Sequence, residues 1–361
     1  MPQPTPGPHA GTLLVTGGAG FIGGRFVEHV LAQTDLRVVN LDRLTYAGNL
    51  DSIPAALASP RHTFVEGDIG DRPLLRELYA AHRPVAVVHL AAETHVDRSI
   101  DGPAAFAATN VLGTVELLTA TLEYWRALEG PARDRFRLLA VSTDEVYGSV
   151  EDGAFDERSP HAPSSPYAAS KAAADHFVRA FHHTYGLPTI TTNGSNTYGP
   201  CQFPEKLVPL MILNALDGRP LPLYGDGGQI RDWLHVDDHV RALLGALTAG
   251  APGAVYPLGG DTPRTNLDLV HSICDTVDRL VPGRPPSRGL VRFVADRPGH
   301  DRRYAVDASR ARRELGWAPA VDLREGLERT VRWYLDHPDW VERVSSGDYR
   351  RERLGLGSSV G

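Results

Sequence analysis

Gly17-Gly-Ala-Gly20-Phe-Ile-Gly23 follows directly on an apolar segment, Thr12-Leu-Leu-Val-Thr16, and opens a helical pattern that ends near Gln33. Glycines in such a loop allow a tight turn, let backbone N–H groups approach a pyrophosphate, and let helix and strand pack closely. A glycine run alone says little, and the spacing here is Gly-x-x-Gly-x-x-Gly rather than the commoner Gly-x-Gly-x-x-Gly. Strand, loop and helix in succession say more, because they make a βα unit that a parallel sheet extends. Arg37-Val-Val-Asn-Leu41, Thr63-Phe-Val65, Val85-Ala-Val-Val-His89, Arg137-Leu-Leu-Ala-Val-Ser142 and Thr189-Ile-Thr-Thr192 read as further strands. Near-continuous apolar strands separated by helices belong to a sheet covered on both faces. The expected fold class is therefore α/β, a doubly wound parallel (Rossmann) sheet. Long helices are expected over Pro103–Trp125 and Pro166–Tyr185, the second stopped by Gly186-Leu-Pro188.

Asp42 ends the second strand, 19 residues after Gly23 (42 − 23). A carboxylate there accepts hydrogen bonds from ribose hydroxyls and repels a 2′-phosphate, which favours NAD over NADP; Arg43 beside it pulls the other way. Ligands of such sheets sit outside the carboxyl ends of the strands. The candidate cofactor-binding residues are therefore Gly17, Gly20, Phe21, Ile22 and Gly23, then Asp42, Arg43, Leu44 and Thr45, then Asp68 and Ile69, then Leu90, Ala91, Ala92 and Thr94. Small Ala91 and Ala92 suit the close passage of a cofactor, as they would suit simple packing.

Past Asn193 the texture changes, and Gly199-Pro200, Gly218-Arg-Pro220 and Gly225-Asp-Gly-Gly228 break the chain into shorter elements. The expected organisation is a disordered tail over 1–11, an NAD-binding domain over 12–193 with a return to the sheet near 233–256, and a smaller C-terminal substrate-binding lobe in the rest of 194–361. A net charge of −7 argues against nucleic acid or an anionic membrane surface as the main partner. Cys201 and Cys274 are the two cysteines of the chain; they cannot make a disulfide framework, which fits a reducing cytoplasm. No apolar run of ~18 residues suggests a membrane span, and no metal is expected.

Tyr167 and Lys171 stand four residues apart in Ser165-Pro-Tyr-Ala-Ala-Ser-Lys171, one helical turn apart on one face. A phenol of pKa ~10 needs about 4 kcal/mol of preferential phenolate stabilisation to reach ~7, at ~1.36 kcal/mol per unit. One ammonium at ~4 Å supplies roughly that much at an effective dielectric near 20. The pair is a candidate acid/base beside a redox cofactor. Ser142-Thr143-Asp144-Glu145-Val146-Tyr147-Gly148 follows the fifth strand. Neighbouring carboxyls on a regular strand point to opposite faces, so Asp144 and Glu145 converge on one ligand only if the backbone turns there. Otherwise one of them merely caps the next turn.

These pieces resemble the extended short-chain dehydrogenase/reductase family and, within it, the nucleotide-sugar 4,6-dehydratases. The resemblance covers Thr12 to Trp340. It rests on Thr-Asp-Glu-Val-Tyr-Gly (143–148), Ser-Pro-Tyr-Ala-Ala-Ser-Lys (165–171), Tyr-Gly-Pro (198–200), Pro-Glu-Lys (204–206), Arg-Asp-Trp-Leu (231–234) and Asp-Arg-Pro-Gly-His-Asp-Arg-Arg-Tyr (296–304). It implies tightly held NAD, a homodimer joined by a helical bundle, and dTDP-glucose as the substrate, turned into its 4-keto-6-deoxy product for deoxysugar supply to a natural product or surface polysaccharide. Under that resemblance Tyr167 removes the C4 hydroxyl proton, Lys171 holds the phenolate and the nicotinamide ribose, and Thr143 hydrogen-bonds the sugar. Glu145 becomes the base for the C5 proton and Asp144 the neutral acid for water leaving C6, a division that needs separated pKa values.

Thr109, Tyr167, Lys171 and Thr197 join the cofactor residues by the same resemblance. Thr94, Thr143, Asn196, Glu205, Lys206, Leu207, the Pro222-Leu223-Tyr224 strand, Arg231, Asn266, Asp296, Arg297, Pro298, Gly299, His300 and Tyr304 are implied for the substrate. Arg231 and Lys206 suit a diphosphate. Alternatively Arg297, Arg302 and Arg303 are solvated charges paired with Asp296 and Asp301, and Tyr304 either closes over the nucleotide or packs under it. Thr197 stands where the family generally has Asn and so loses an amide near the nicotinamide; Cys201-Gln202 replace bulkier residues. A nucleotide-sugar 4-epimerase shares Tyr167 and Lys171 but has no need of Asp144-Glu145. A non-catalytic NAD-binding regulatory protein has no need of Thr143, Tyr167 and Lys171 together. The choice between thymidine and uridine stays open.

Overall fold

The computed structural model describes residues 11–345. Its strands are β1 (Thr12–Thr16), β2 (Arg37–Asp42), β3 (His62–Glu66), β4 (Ala86–His89), β5 (Arg137–Thr143), β6 (Thr189–Gly194), β7 (Asn196–Tyr198), β8 (Leu221–Tyr224), β9 (Ile230–His235), β10 (Val255–Leu258), β11 (Pro263–Thr265) and β12 (Val291–Val294). Seven of them form one parallel sheet in the order β10-β6-β5-β4-β1-β2-β3. From β1 the chain winds outward through β2 and β3, then returns to β4 and winds the other way. The boundary between β1 and β4 is thus the point where the strand order reverses.

Both faces of the sheet are dry, which is why its strands carry apolar residues at odd and even positions alike. Leu13, Val15, Val38, Ala86 and Val88 pack against Phe26, Val27 and Val30 of the helix Phe21–Gln33. Leu14, Val39, Leu41, Val87 and Leu138 face the other way, against Leu75, Tyr79, Leu117 and Val178. Each fully buried side chain of this kind contributes roughly 1.5–3 kcal/mol relative to exposure.

The helix Pro166–Tyr185 begins at a cap in which Ser165 Oγ accepts from Ala168 N at 3.1 Å. Pro166 occupies its first turn, where the missing N–H costs nothing. It ends at Gly186, left-handed at φ 75°, whose N–H donates to His182 O. Pro103–Ala127 is one helical run of 25 residues, with a π-helical stretch at Ala107–Gly113. Contrary to the sequence expectation, this run is long and apolar enough by composition to cross a membrane. It is half buried inside the protein, and its Glu116 and Glu123 pair with Arg72 and Arg76 of the helix Arg72–His82 at 2.6 and 2.8 Å. It is a core helix.

The lobe has its own apolar centre, where Met211, Ile212, Leu223, Trp233, Leu269, Ile273, Leu327 and Tyr334 meet. Two small sheets serve it, β11-β9-β7 and β12-β8. The segment expected to return to the main sheet begins with Trp233 in the lobe centre, and from Leu234 through the helix Val236–Ala249 to β10 it packs on the sheet. A second return brings Ala308, Ala311 and Trp317 to the same core, and Trp317 Nε1 donates to Asp238 O at 2.9 Å. The helix there, Ser-Arg-Ala-Arg-Arg-Glu-Leu, is too charged to show an apolar period. Of the expected tail, residues 1–10 lie outside the described residues, as do 346–361 of the expected lobe. Gly11 is not tail-like, since its carbonyl accepts from Arg37 N at 2.8 Å at the sheet's edge.

Gly186→Ala tests the helix stop. A side chain at that left-handed position costs about 1–2 kcal/mol, while the site lies at the far end of the helix from Tyr167. Chemical denaturation should show that loss with nucleotide binding unchanged.

Candidate active site

The turn after β1 brings backbone against backbone. Gly17 is left-handed at φ 75°, and a Cβ on it would lie 2.5 Å from Ala91 N. A Cβ on Gly23 would overlap the Gly17 carbonyl oxygen. Asp42 stabilises the loop from the next strand: its Oδ2 accepts from Ala19 N and its Oδ1 from Leu44 N, both at 2.9 Å. A carboxylate has about four lone-pair sites, so acceptors remain for ribose hydroxyls. Arg43 donates to Asp68 Oδ2 at 2.7 Å, so two of the expected cofactor residues also bind each other at the rim. The cradle fits a dinucleotide in the one respect that matters most, the close approach that only glycine leaves open.

One cleft runs from this loop to Lys206. Every residue expected to hold the cofactor lines it except Leu44, which offers its backbone N–H to Asp42 instead. Thr143, Asp144 and Glu145 open onto the same cleft, because β5 ends in a tight turn over Asp144–Tyr147. Thr143 Oγ1 accepts from Glu145 N at 3.2 Å and donates to Asp144 Oδ1 at 3.3 Å. The backbone therefore turns where convergence of the two carboxyls requires it. The helix Pro166–Tyr185 is held beside them by Tyr167 N donating to Ser99 Oγ at 3.1 Å. Asn110 Nδ2 donates to Ser170 Oγ at 2.8 Å, from the π-helical stretch that also puts Thr109 in the wall.

Burial pushes the Asp144 carboxyl well above its ordinary range, and neighbouring Glu145 pushes it further. Burial also raises Glu145, but Arg297, Arg231 and Lys206 oppose the rise. Both carboxyls are thus raised, Asp144 well above its ordinary range and Glu145 with three cations opposing the rise, so Asp144 is the one held more strongly as the neutral acid. Tyr167 lies above its usual value through burial and then through Glu145, with a hydrogen bond to Thr143 opposing. Lys171 is pushed down by burial, with Asp175 opposing. Its Nζ donates to Val141 O at 2.9 Å. This corrects the sequence-based expectation that the ammonium alone brings the phenol toward neutrality: the phenol here is desolvated and has three carboxyl neighbours, Glu145, Asp144 and Asp175, that push it up.

On the lobe side, Lys206 Nζ donates to Thr94 O at 2.7 Å. Glu205, although in the cleft wall, is engaged by protein partners, with Arg98 Nε at 3.1 Å and His95 Nε2 at 3.8 Å. Arg98 in turn stacks over Tyr46, 4.0 Å from the ring centroid. Asn196 also lines the cleft. The remaining substrate candidates are outside its wall. Leu207 and Leu223 pack in the lobe centre and Pro222 is half-buried in β8. Tyr224 and Arg297 both donate to Asp97, at 2.8 and 3.0 Å. Arg231 donates to Asp301 O and stacks over Tyr304 at 4.1 Å. Tyr304 donates to Asp301 Oδ2 at 2.6 Å and is buried, so it packs under its surroundings rather than over them. Asp296 pairs with His300 at 2.6 Å, with Pro298 exposed and Gly299 left-handed at φ 67° between them. Asn266 opens the helix Asn266–Leu280, its buried Oδ1 without a hydrogen-bond partner among the described residues. Arg302 pairs with Asp226, and Arg303 donates to Gly153 O, so neither takes Asp296 or Asp301. Gly194, Ser195, Gln202, Phe203 and His239 line the cleft without having been picked out as site residues; no motif marks His239, which lies in the returning helix.

A family described as GDP-mannose 4,6 dehydratase matches residues 14–330. The dTDP-glucose 4,6-dehydratase of Xanthomonas campestris pv. campestris (strain B100) is 55% identical over 347 residues, 95% of this chain and 99% of its own. That of Neisseria meningitidis serogroup B is 53% identical, over 96% and 99%. The chain belongs to the dTDP-glucose 4,6-dehydratase family. Among solved structures, the family member DesIV from Streptomyces venezuelae, with NAD and TYD bound, is 47% identical with a TM-score of 0.85, covering 92% of this chain and 99% of its own. The UDP-glucose 4-epimerase of Thermotoga maritima with UDP-glucose is 29% identical with a TM-score of 0.79, covering 91% and 99%. Fold alone does not separate dehydratase from epimerase.

Glu205→Ala removes a nearly dry partner of Arg98 and should cost on the order of 3 kcal/mol, as for one half of a buried pair. An unchanged guanidinium midpoint would mean that this link across the cleft mouth contributes nothing to folding.

Proposed function

We propose that this chain is the NAD-dependent dehydratase that converts dTDP-glucose into dTDP-4-keto-6-deoxyglucose for deoxysugar biosynthesis. The reading is carried by the turn at Asp144–Tyr147, which opens two carboxyls in unlike electrostatic surroundings onto the cleft of Tyr167 and the glycine loop. An epimerase has no step that would use them. NAD, held by the glycine loop, Asp42 and Lys171, supplies the acceptor for the C4 hydride and its return to C6. Thr143 Oγ1 orients the C4 hydroxyl and Tyr167 Oη takes its proton. The C4 ketone acidifies the C5 proton, which Glu145 removes; Asp144, neutral, gives a proton to the hydroxyl leaving C6. Lys206, Arg231 and Arg297 would meet the diphosphate, and Tyr224, Asn266 and the 296–300 segment the nucleoside.

The raised pKa directions set the pH profile. Turnover should rise as Glu145 ionises, at a pH above the usual carboxylate range, and fall as Asp144 ionises at higher pH. Glu145→Gln should oxidise the sugar but not eliminate water, so absorbance of reduced nicotinamide should build up in place of 4-keto-6-deoxy product. Because burial and then the Glu145 charge push the Tyr167 phenol up, removing that charge in the same variant should move the acid limb of C4 oxidation to lower pH. Wild-type-like turnover of dTDP-glucose by Glu145→Gln would sink the assignment.

A homodimer in the cytoplasm completes the proposal. Leu112, Phe177 and Tyr185 are large apolar side chains that stand 64%, 41% and 44% exposed on the helical runs Pro103–Ala127 and Pro166–Tyr185, the faces through which two copies would form a bundle. Both cysteines are free thiols, in keeping with a reducing compartment. Leu112→Glu should shift the sedimentation coefficient to that of a monomer at micromolar concentration; an unchanged value would place the interface elsewhere.

A further inference from the structure

His239 stands in the cleft wall with one ring nitrogen committed and the other without a hydrogen-bond partner among the described residues. It is 1% exposed on the helix Val236–Ala249, and its Nδ1 lies 2.8 Å from Thr197 Oγ1. The same hydroxyl lies 3.1 Å from Ser195 O. A carbonyl oxygen only accepts, so both contacts are satisfied when the Thr197 proton goes to Ser195 O and the Thr197 oxygen accepts from His239 Nδ1–H. Burial pushes His239 down to about 4, and a neutral imidazole carries a single N–H. Nε2 is then a lone-pair acceptor. It is buried with no hydrogen-bond partner among the described residues, an arrangement that costs free energy until a donor arrives. Gly194 makes the room: a Cβ there would lie 2.7 Å from His239 Cε1 and 3.0 Å from Nε2. All four residues share the cleft wall with Tyr167 and Lys171.

We propose that Thr197 fixes the tautomer of His239 so that Nε2 accepts an N–H from the carboxamide of bound nicotinamide, making His239 a positioning residue for the ring. The inference deepens the NAD reading above and rests on it. With the nicotinamide ribose assigned to Tyr167 and Lys171, the carboxamide is the remaining N–H donor at that end of the cofactor. The pairing also gives Thr197 a purpose, since its own side chain has no amide to offer.

The test compares NAD with 3-acetylpyridine adenine dinucleotide, which keeps the ring carbonyl but has a methyl group in place of NH2. Dissociation constants are measured on cofactor-free full-length protein by titration calorimetry. Wild type should bind NAD about tenfold more tightly than the analogue, the size expected for one buried hydrogen bond. In His239→Phe the preference should collapse to about twofold or less, through weaker NAD binding with the analogue little changed. Thr197→Val keeps the imidazole but frees its tautomer, and should give an intermediate preference even if His239→Phe folds poorly. A wild-type enzyme without the preference, or a His239→Phe variant that keeps it or loses both ligands equally, overturns the proposal. If wild type binds neither dinucleotide, the NAD reading fails, and this inference with it.

Discussion

A parallel sheet delivers every strand's carboxyl end to one edge, and the rest of this molecule is arranged around that edge. Because the order reverses between β1 and β4, the loops after those strands diverge and leave a crevice. The glycine loop, Asp42, Asp68, the Thr143–Tyr147 turn and the 194–197 segment come from five different strand ends. None is near another in sequence, yet all border one cleft. The contact that allows this is the approach of Gly23 to the Gly17 carbonyl, where no side chain fits. Lose that approach, and the first helix moves off the sheet that positions everything else.

Charge inside the cleft is distributed unevenly, and the unevenness is what makes two adjacent carboxyls chemically different. Asp144 is surrounded by protein with Glu145 as its nearest like charge, whereas Glu145 has Arg297, Arg231 and Lys206 on its lobe side. At short range in a dry site, such neighbours outweigh intrinsic differences between Asp and Glu. Arg297 is itself held by Asp97, and Arg98 beside Asp97 is held in turn by Glu205. Asp97 and Arg98 precede the lobe by about a hundred residues, so these pairs also fasten the lobe to the sheet. Binding and closure thus share the same side chains.

Much of the site was legible because its signals are local. A tight turn needs glycine wherever it occurs, a strand buried on both faces needs apolar residues at every position, and a capped helix announces itself at Ser165-Pro166 and Gly186. These rules accounted for the six strands from Thr12 to Gly194, the helix of Tyr167 and Lys171, and the cofactor candidates at the strand ends, all of which line the cleft except Leu44; Thr109 and Thr197 came from the family resemblance. What the sequence could not show depended on distant partners. Glu205 has a motif but not a visible counter-ion, and Arg302 and Arg303 sit beside Asp301 in sequence while pairing elsewhere. The helix at Ser309–Leu315 has no apolar period, since Ala311 and Leu315 are its apolar contacts with the core, beside the flanking Ala308 and Trp317.

By itself the sequence determined the chemical inventory: a glycine cradle, an acidic residue for a ribose, a Tyr–Lys pair, and two neighbouring carboxyls. Those are properties of residue type and short spacing, which the chain carries whatever its partners do. Only the tertiary structure decided how those groups behave. Burial and neighbouring charge raise Asp144 and Glu145 against unlike surroundings and push the Tyr167 phenol up, while packing turns Lys171 toward Val141 and brings His239 from the returning helix to Thr197. Electrostatic energies depend on distance and local dielectric, and neither exists until the chain has closed on itself.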